Sequence, residues 1–311
     1  MGGTNCETKA SRRKRAEVTE LLRKLGLGLI PDEELRSLIR VQVERRLQWG
    51  YKPTFEQQFA QLVQFAHSLK QRAISLEAEV LESQVYEIPN SFMKLLHGSS
   101  MKASTTNCQG IRKNSLFSNL DSIKDEAEIA MLELYCERSQ IRNGDRVLDL
   151  GCGFGALATY IVCKYPNCQV TGVTNSTFQK EFIEEQCKKD NLVNVEVMLA
   201  DVTTYEMDRE FDRVMAISVI EHMKNYELLL KKISKWMKQD GLLFIDHICH
   251  KAFAYQFEDD ISIVNHLAVN GKHYSRTNEE WLKKLDGNAD VARAILEGSI
   301  GSKEEGMKML N

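Results

Sequence analysis

The sequence predicts a doubly wound α/β fold built on a parallel sheet and preceded by an N-terminal helical region. Three observations predict it. From Asn143 onward, short apolar runs alternate with longer stretches of helical periodicity, the signature of successive βαβ units. The first of those runs leads into a glycine turn, Gly151-Cys152-Gly153-Phe154-Gly155, that opens a helix. The first third of the chain shows only helix-spaced apolar stripes in polar surroundings.

The elements follow in order. Val18, Leu21, Leu22 and Leu25 place a helix over 16–27. Pro31-Asp32 opens a second helix with Leu35, Leu38, Ile39, Val41, Val43 and Leu47. A third runs from Phe55 to Leu69 with Phe59, Leu62, Val63, Phe65 and Ala66. Arg146–Leu150 reads as a buried strand, Ala156–Lys164 as a helix and Gln169–Thr174 as the second strand. Helix Ser176–Lys189, strand Val195–Leu199, strand Phe211–Ile217, helix Val219–Met237 and strand Gly241–Asp246 complete the alternation. Right-handed crossovers then cover both faces of the sheet with helices.

Composition bounds the function. The 311 residues carry 41 Lys plus Arg and 44 Asp plus Glu, a net charge of −3, without the basic excess of a nucleic-acid binder. The longest apolar run, Leu150–Cys163, falls short of the roughly 20 residues of a bilayer span. The eight cysteines are dispersed with no C-x-x-C pair, which reads as reduced cytoplasmic thiols rather than a metal site. Arg12-Arg13-Lys14-Arg15 reads as a solvated helix start, with a nuclear localisation signal or anion patch as the alternative.

The glycine turn carries the most chemistry. Its spacing is G-x-G-x-G, and Asp149 stands two residues before the first glycine. A carboxylate there repels a pyrophosphate and suits a ligand with an ammonium, a sulfonium and no phosphate. The second strand ends in Thr174-Asn175-Ser176 with Gln179 a turn further on, neutral hydrogen-bonding groups instead of the acid that holds a dinucleotide's ribose. Asp201, after the third strand, can accept from an adenine amino group or serve as a turn aspartate. Glu221-His222 follows the fourth strand at its carboxyl end, where doubly wound sheets place ligands. A carboxylate beside an imidazole can bind an ammonium and take its proton, while helix capping is the alternative. His247, after the fifth strand, lines the same cavity or is a structural histidine.

These strings resemble a class I S-adenosylmethionine-dependent methyltransferase, with its Rossmann-like sheet. More narrowly, the chain is similar to the plant coclaurine N-methyltransferase family, which is related to cyclopropane fatty acid synthases. The carrying residues are Leu134-Tyr135-Cys136-Glu137-Arg138, Val147–Gly155, Val170–Ser176, Ile220–Asn225 and Cys249-His250-Lys251. The family includes pavine, reticuline and tetrahydroprotoberberine N-methyltransferases of alkaloid biosynthesis. The resemblance implies S-adenosylmethionine as methyl donor, held by Ser104, Asp149, Gly151, Gly153, Thr174, Asn175, Gln179, Asp201, Val202 and Ile217. It implies Glu221 and His222 as catalytic residues, with Tyr86, Ser218 and His247 around the substrate. Ser218 stands where some of the family carry a glutamate.

The expected division is an N-terminal helical substrate or cap region over 1–124 and a cofactor-binding domain over 125–311. The expected partner is a small benzylisoquinoline-type alkaloid amine, with no nucleic acid and no membrane, and a homodimer is one assembly open to such a chain. Relative to the family, the sequence differs over 102–123, runs directly from 258 into 259, and has 261–269 as a sixth strand with no seventh after Gly301. The sheet is therefore expected to lack its last strand. The alternative function is a truncated or spliced chain that binds cofactor without turnover and pairs with a complete homologue.

Overall fold

The computed structural model describes residues 30–75, 90–97, 101–102, 120–247 and 272–300. Expected elements over 16–27 and 261–269, and the basic run 12–15, lie outside them. The described residues group into two compact units, 30–58 with 290–300, and those within 59–289.

The first unit contains α1, Asp32–Gly50, with three acidic residues in its first turn, where they complement the helix dipole. Ile39, Val43 and Leu47 form an exposed stripe on it. Its other part is most of α9, Ala289–Ile300, whose Ala292 and Leu296 are buried. Helix α2, Phe55–Lys70, begins in this unit and ends in the next.

The second unit is the expected parallel sheet. Its strands are β1 Arg146–Leu150, β2 Gln169–Thr174, β3 Val195–Leu199, β4 Phe211–Ile217 and β5 Met237–Asp246. They lie in the order β3-β2-β1-β4-β5, every pair parallel. Val147 pairs with Val170 on one side and Arg213 on the other, so the chain reverses direction across the sheet at β1. Ligands of such sheets bind at that switch point, outside the strands' carboxyl ends.

Alternation along β1 builds two cores. Val147 faces Met131, Leu132 and Tyr135 of α4, Leu120–Arg138, and Leu157 and Ile161 of α5, Ala156–Lys164. Leu148 and Leu150 face the other way, against Leu229, Ile233 and Trp236 at and after α7, Tyr226–Ser234. Each fully buried side chain of this size contributes about 1.5–3 kcal/mol. A third cluster packs Cys152 and Phe154 of the glycine turn onto Phe182, Ile183 and Cys187 of α6, Thr177–Lys189. Arg213 fixes α4 over the sheet. Its guanidinium donates to the carbonyls of Ser139 (2.9 Å) and Gln140 (3.0 Å), just beyond the helix end, where a cation is favoured.

The stretch from Val219 to Gly241 departs from expectation. One helix was expected; the chain instead makes a 3₁₀ turn, Ile220–His222, and starts α7 at Tyr226. Asn225 causes the break. Its side chain caps α7 by accepting from the Leu228 N–H (3.1 Å) and donates to the carbonyls of Lys70 (2.9 Å) and Arg72 (2.8 Å) beyond α2. Strand β5 begins at Met237, opposite Phe211, but regular register resumes only at Leu242 opposite Arg213. Gly241 permits this bulge, because a Cβ there would stand 2.9 Å from the Lys238 carbonyl and 3.1 Å from that of Phe211. Ser176 is the N-cap of α6 rather than its first residue, its Oγ accepting from the Gln179 N–H. No helix among the described residues is long and apolar enough to cross a membrane.

Candidate active site

The parallel sheet delivers every described candidate residue to one edge, the carboxyl ends of its strands. Asp149 lies in β1, and the Gly151–Gly155 turn follows with all three glycines in the left-handed region (φ 63°, 54° and 76°). A Cβ on Gly151 would stand 2.5 Å from Val219 Cγ2, whereas one on Gly153 would meet nothing within 4 Å among the described residues. The loop therefore leaves open space above Gly153, where backbone can approach a ligand closely. Cys152 anchors the turn through its N–H to the Val173 carbonyl (3.0 Å), and Gly155 N–H closes it onto the Cys152 carbonyl (2.9 Å). Burial pushes the Cys152 thiol well up, which suits a packing residue and not a nucleophile.

Asp149 is the electrostatic anomaly of the site. It is 2% exposed, and no donor among the described residues reaches its Oδ2. Burial without compensation raises its carboxyl to about 7. A buried carboxylate of this kind favours a cationic donor, and an ammonium suits it.

Burying this carboxyl carries a stability cost. The folded pKa lies above the unfolded one, so folded protein binds the proton more tightly and stability falls as pH rises from about 4 to about 7. Asp149→Asn is therefore expected to raise the melting temperature at pH 8 by about 2–4 °C per kcal/mol relieved, and to leave it unchanged below pH 4. Thermal unfolding across pH checks this; a pH-independent difference contradicts it.

The other residues line up along the same edge. Thr174 is buried, its hydroxyl donating to Gln179 Oε1 (2.6 Å) and accepting from the Ser176 N–H (3.1 Å). Gln179 is half-buried in the first turn of α6, while Asn175 is exposed. Asp201 makes the turn bond weighed from sequence, its Oδ1 accepting from the Thr203 N–H at 2.8 Å. Val202 is buried and Ile217 half-buried at the end of β4. Ser218 takes a left-handed conformation, φ 54°, uncommon for a residue with a side chain, and donates its N–H to the Asp246 carbonyl (2.8 Å). That kink swings the chain into the 3₁₀ turn carrying Glu221, half-buried, and His222, exposed. His247 follows β5, half-buried. Tyr86 and Ser104 lie outside the described residues.

Sequence reasoning missed one polar group of the site, the Tyr135–Asp246 pair. Tyr135 Oη donates to Asp246 Oδ2 at 2.6 Å across 111 residues of sequence. No local spacing announces such a contact; the one hint was a tyrosine on the apolar face of a helix.

Comparison with known proteins identifies the family and agrees with the fold. Residues 77–263 match the family model described as mycolic acid cyclopropane synthetase. The chain is 50% identical to (S)-coclaurine N-methyltransferase of Thalictrum flavum subsp. glaucum over 96% of this chain and 89% of that protein. It is 44% identical to the pavine N-methyltransferase of the same plant, over 98% of this chain and 91% of that protein. A crystal structure of coclaurine N-methyltransferase bound to N-methylheliamine and SAH superimposes with a TM-score of 0.86 at 49% identity, covering 94% of this chain and 91% of that one. Similarity of this extent does not favour the inactive-isoform alternative. The chain thus belongs to the mycolic acid cyclopropane synthetase family, in the branch of the coclaurine and pavine N-methyltransferases.

Proposed function

We propose that this chain transfers a methyl group from S-adenosylmethionine to the nitrogen of a benzylisoquinoline-type alkaloid amine. The observation that carries the reading is Asp149, buried beneath an open glycine turn at the sheet's switch point, with no donor among the described residues on its Oδ2. It fits the cofactor's ammonium, and SAH, the cofactor's demethylated product, is what the solved relative holds. Asp149, Gly151 and Gly153 would take the amino-acid end. Thr174, Asn175 and Gln179 would take the sugar, and Asp201, Val202 and Ile217 the base, with Ser104 added from the family pattern. When bound, S-adenosylmethionine supplies a methyl group on a sulfonium that is also its leaving group. Because the ammonium must meet an ionised Asp149, cofactor binding is expected to tighten as pH rises toward 7.

The chain's own task is to present a neutral amine. A secondary alkylamine is mostly protonated at pH 7 and has no lone pair to give. Glu221 binds that ammonium, and His222 accepts its proton. Ser218, His247 and Tyr86 shape the pocket around the substrate, in keeping with a cap contributed by residues 1–124. Dispersed thiols and the small-molecule substrate fit an enzyme of the cytoplasm. Incubation with labelled S-adenosylmethionine and heliamine, coclaurine, reticuline or pavine tests the reading. Methylated product from at least one amine is expected, and folded protein that methylates none overturns it.

A further inference from the structure

On the α4-facing side of the sheet, a second polar cluster is enclosed beside the proposed site. Tyr135, 1% exposed, reaches from α4 to the end of β5 and donates to Asp246 Oδ2. Its ring packs on Phe244, with centroids 5.7 Å apart, and lies 5.5 Å from the Lys102 Nζ. Lys102 is 3% exposed, and Glu128 of α4 is fully buried. Burial pulls the Lys102 ammonium down to about 8 against the opposing charges of Asp246 and Glu128. Burying a lysine, a carboxylate and a phenol beside the half-buried Asp246 stabilises a core less than apolar side chains of the same volume, so the cluster invites a role beyond stability.

Asp246 supplies that role through two different bonds. Its carboxylate is tied to α4 by Tyr135, and its backbone carbonyl accepts the N–H of Ser218. Ser218 is the left-handed residue that turns β4 toward Glu221 and His222. The aspartate therefore links a rigid helix to the strained turn on which the proposed acid–base pair stands.

We propose that Asp246, held by Tyr135, is a positioning residue for methyl transfer, fixing the angle at which the Ser218 turn presents Glu221 and His222. The inference rests on the reading of those two residues given above.

Tyr135→Phe removes only the hydroxyl and tests it. The rate constant kcat is expected to fall by about ten- to a hundred-fold and KM for the amine to rise, while SAH affinity stays within about three-fold. In a Glu221→Ala/His222→Ala double background the same change is expected to cost nothing further, because the groups being positioned are gone. Asp246→Asn, which keeps an acceptor for Tyr135, is expected to retain far more activity than Asp246→Ala. A wild-type kcat in Tyr135→Phe, or an equal loss in both backgrounds, overturns the proposal. Should Tyr135→Phe fail to fold, the two Asp246 variants decide: equal losses refute positioning, and rescue by asparagine supports it. Full activity in both Glu221→Gln and His222→Ala defeats the underlying functional reading. Loss in those two with none in Tyr135→Phe defeats this inference alone.

Discussion

Gly151→Ala is expected to weaken cofactor binding by at least a hundred-fold, about 2.7 kcal/mol. Two effects add. The residue sits at φ 63°, where an alanine costs about 1–2 kcal/mol. Its new methyl would also stand 2.5 Å from Val219 Cγ2. Val219 is buried, β-branched and directly follows the Ser218 kink, so it cannot yield without moving the turn that carries Glu221 and His222. The substitution therefore strikes the cofactor cradle and the reacting side together. Gly153→Ala is the informative companion. Its methyl meets nothing among the described residues, so stability should change by the cost of the left-handed backbone alone, while binding should fall where the ligand needs that space. Calorimetric titration with SAH, alongside thermal unfolding, separates the two variants. Affinity within three-fold of wild type in Gly151→Ala contradicts the cradle.

His222→Ala is expected to lower kcat by about 10²–10⁴-fold near pH 7, with a deficit that shrinks as pH rises. The sign follows from the substrate. Each unit of pH below the amine's own pKa leaves roughly ten-fold less neutral nucleophile, so a proton acceptor matters most in that range and little above it. His222 is exposed on a short 3₁₀ turn, so folding stability should move by no more than about 0.5 kcal/mol. Glu221→Gln should act differently, raising KM more than it lowers kcat, because its charge serves to hold the ammonium. Rates of both variants between pH 7 and 10 check the assignment. A His222→Ala deficit that stays constant with pH refutes proton transfer by that residue.

The sequence announced what is governed by short-range rules. Strands β1 to β4 stand where short apolar runs bounded by turn residues placed them, the inner strands β1, β2 and β4 being mostly buried and the edge strand β3 half-exposed. The glycine turn was legible for the same reason: three left-handed positions in five residues leave little alternative to glycine. Legibility failed where distant residues decide. Asn225 carried a readable cap signal before Leu228-Leu229-Leu230, but its grip on the carbonyls of Lys70 and Arg72 did not show. The bulge of β5 depends on the Phe211 carbonyl lying beside Gly241. Asp246 looked like the end of a strand, and only α4 folding back over the sheet gives it Tyr135. Asp149 shows a subtler gap: its position was evident, but that no donor among the described residues reaches its Oδ2 is a property of the packed core.

Strand β1 lies at the centre of the sheet, yet its two neighbours reach it at different moments of synthesis. β2 follows almost at once, whereas β4 leaves the ribosome on the order of several seconds later. Through that interval the β4-facing edge of β1 exposes unpaired backbone groups beside Val147, Leu148 and Leu150, an adhesive surface toward other nascent chains. Non-local parallel pairing of this kind also folds slowly. Yield of native protein is thus governed by how quickly β4 docks, and slower, cooler expression should favour it. The turn of Glu221 and His222 is part of that later delivery, so it forms after the glycine turn has already taken shape.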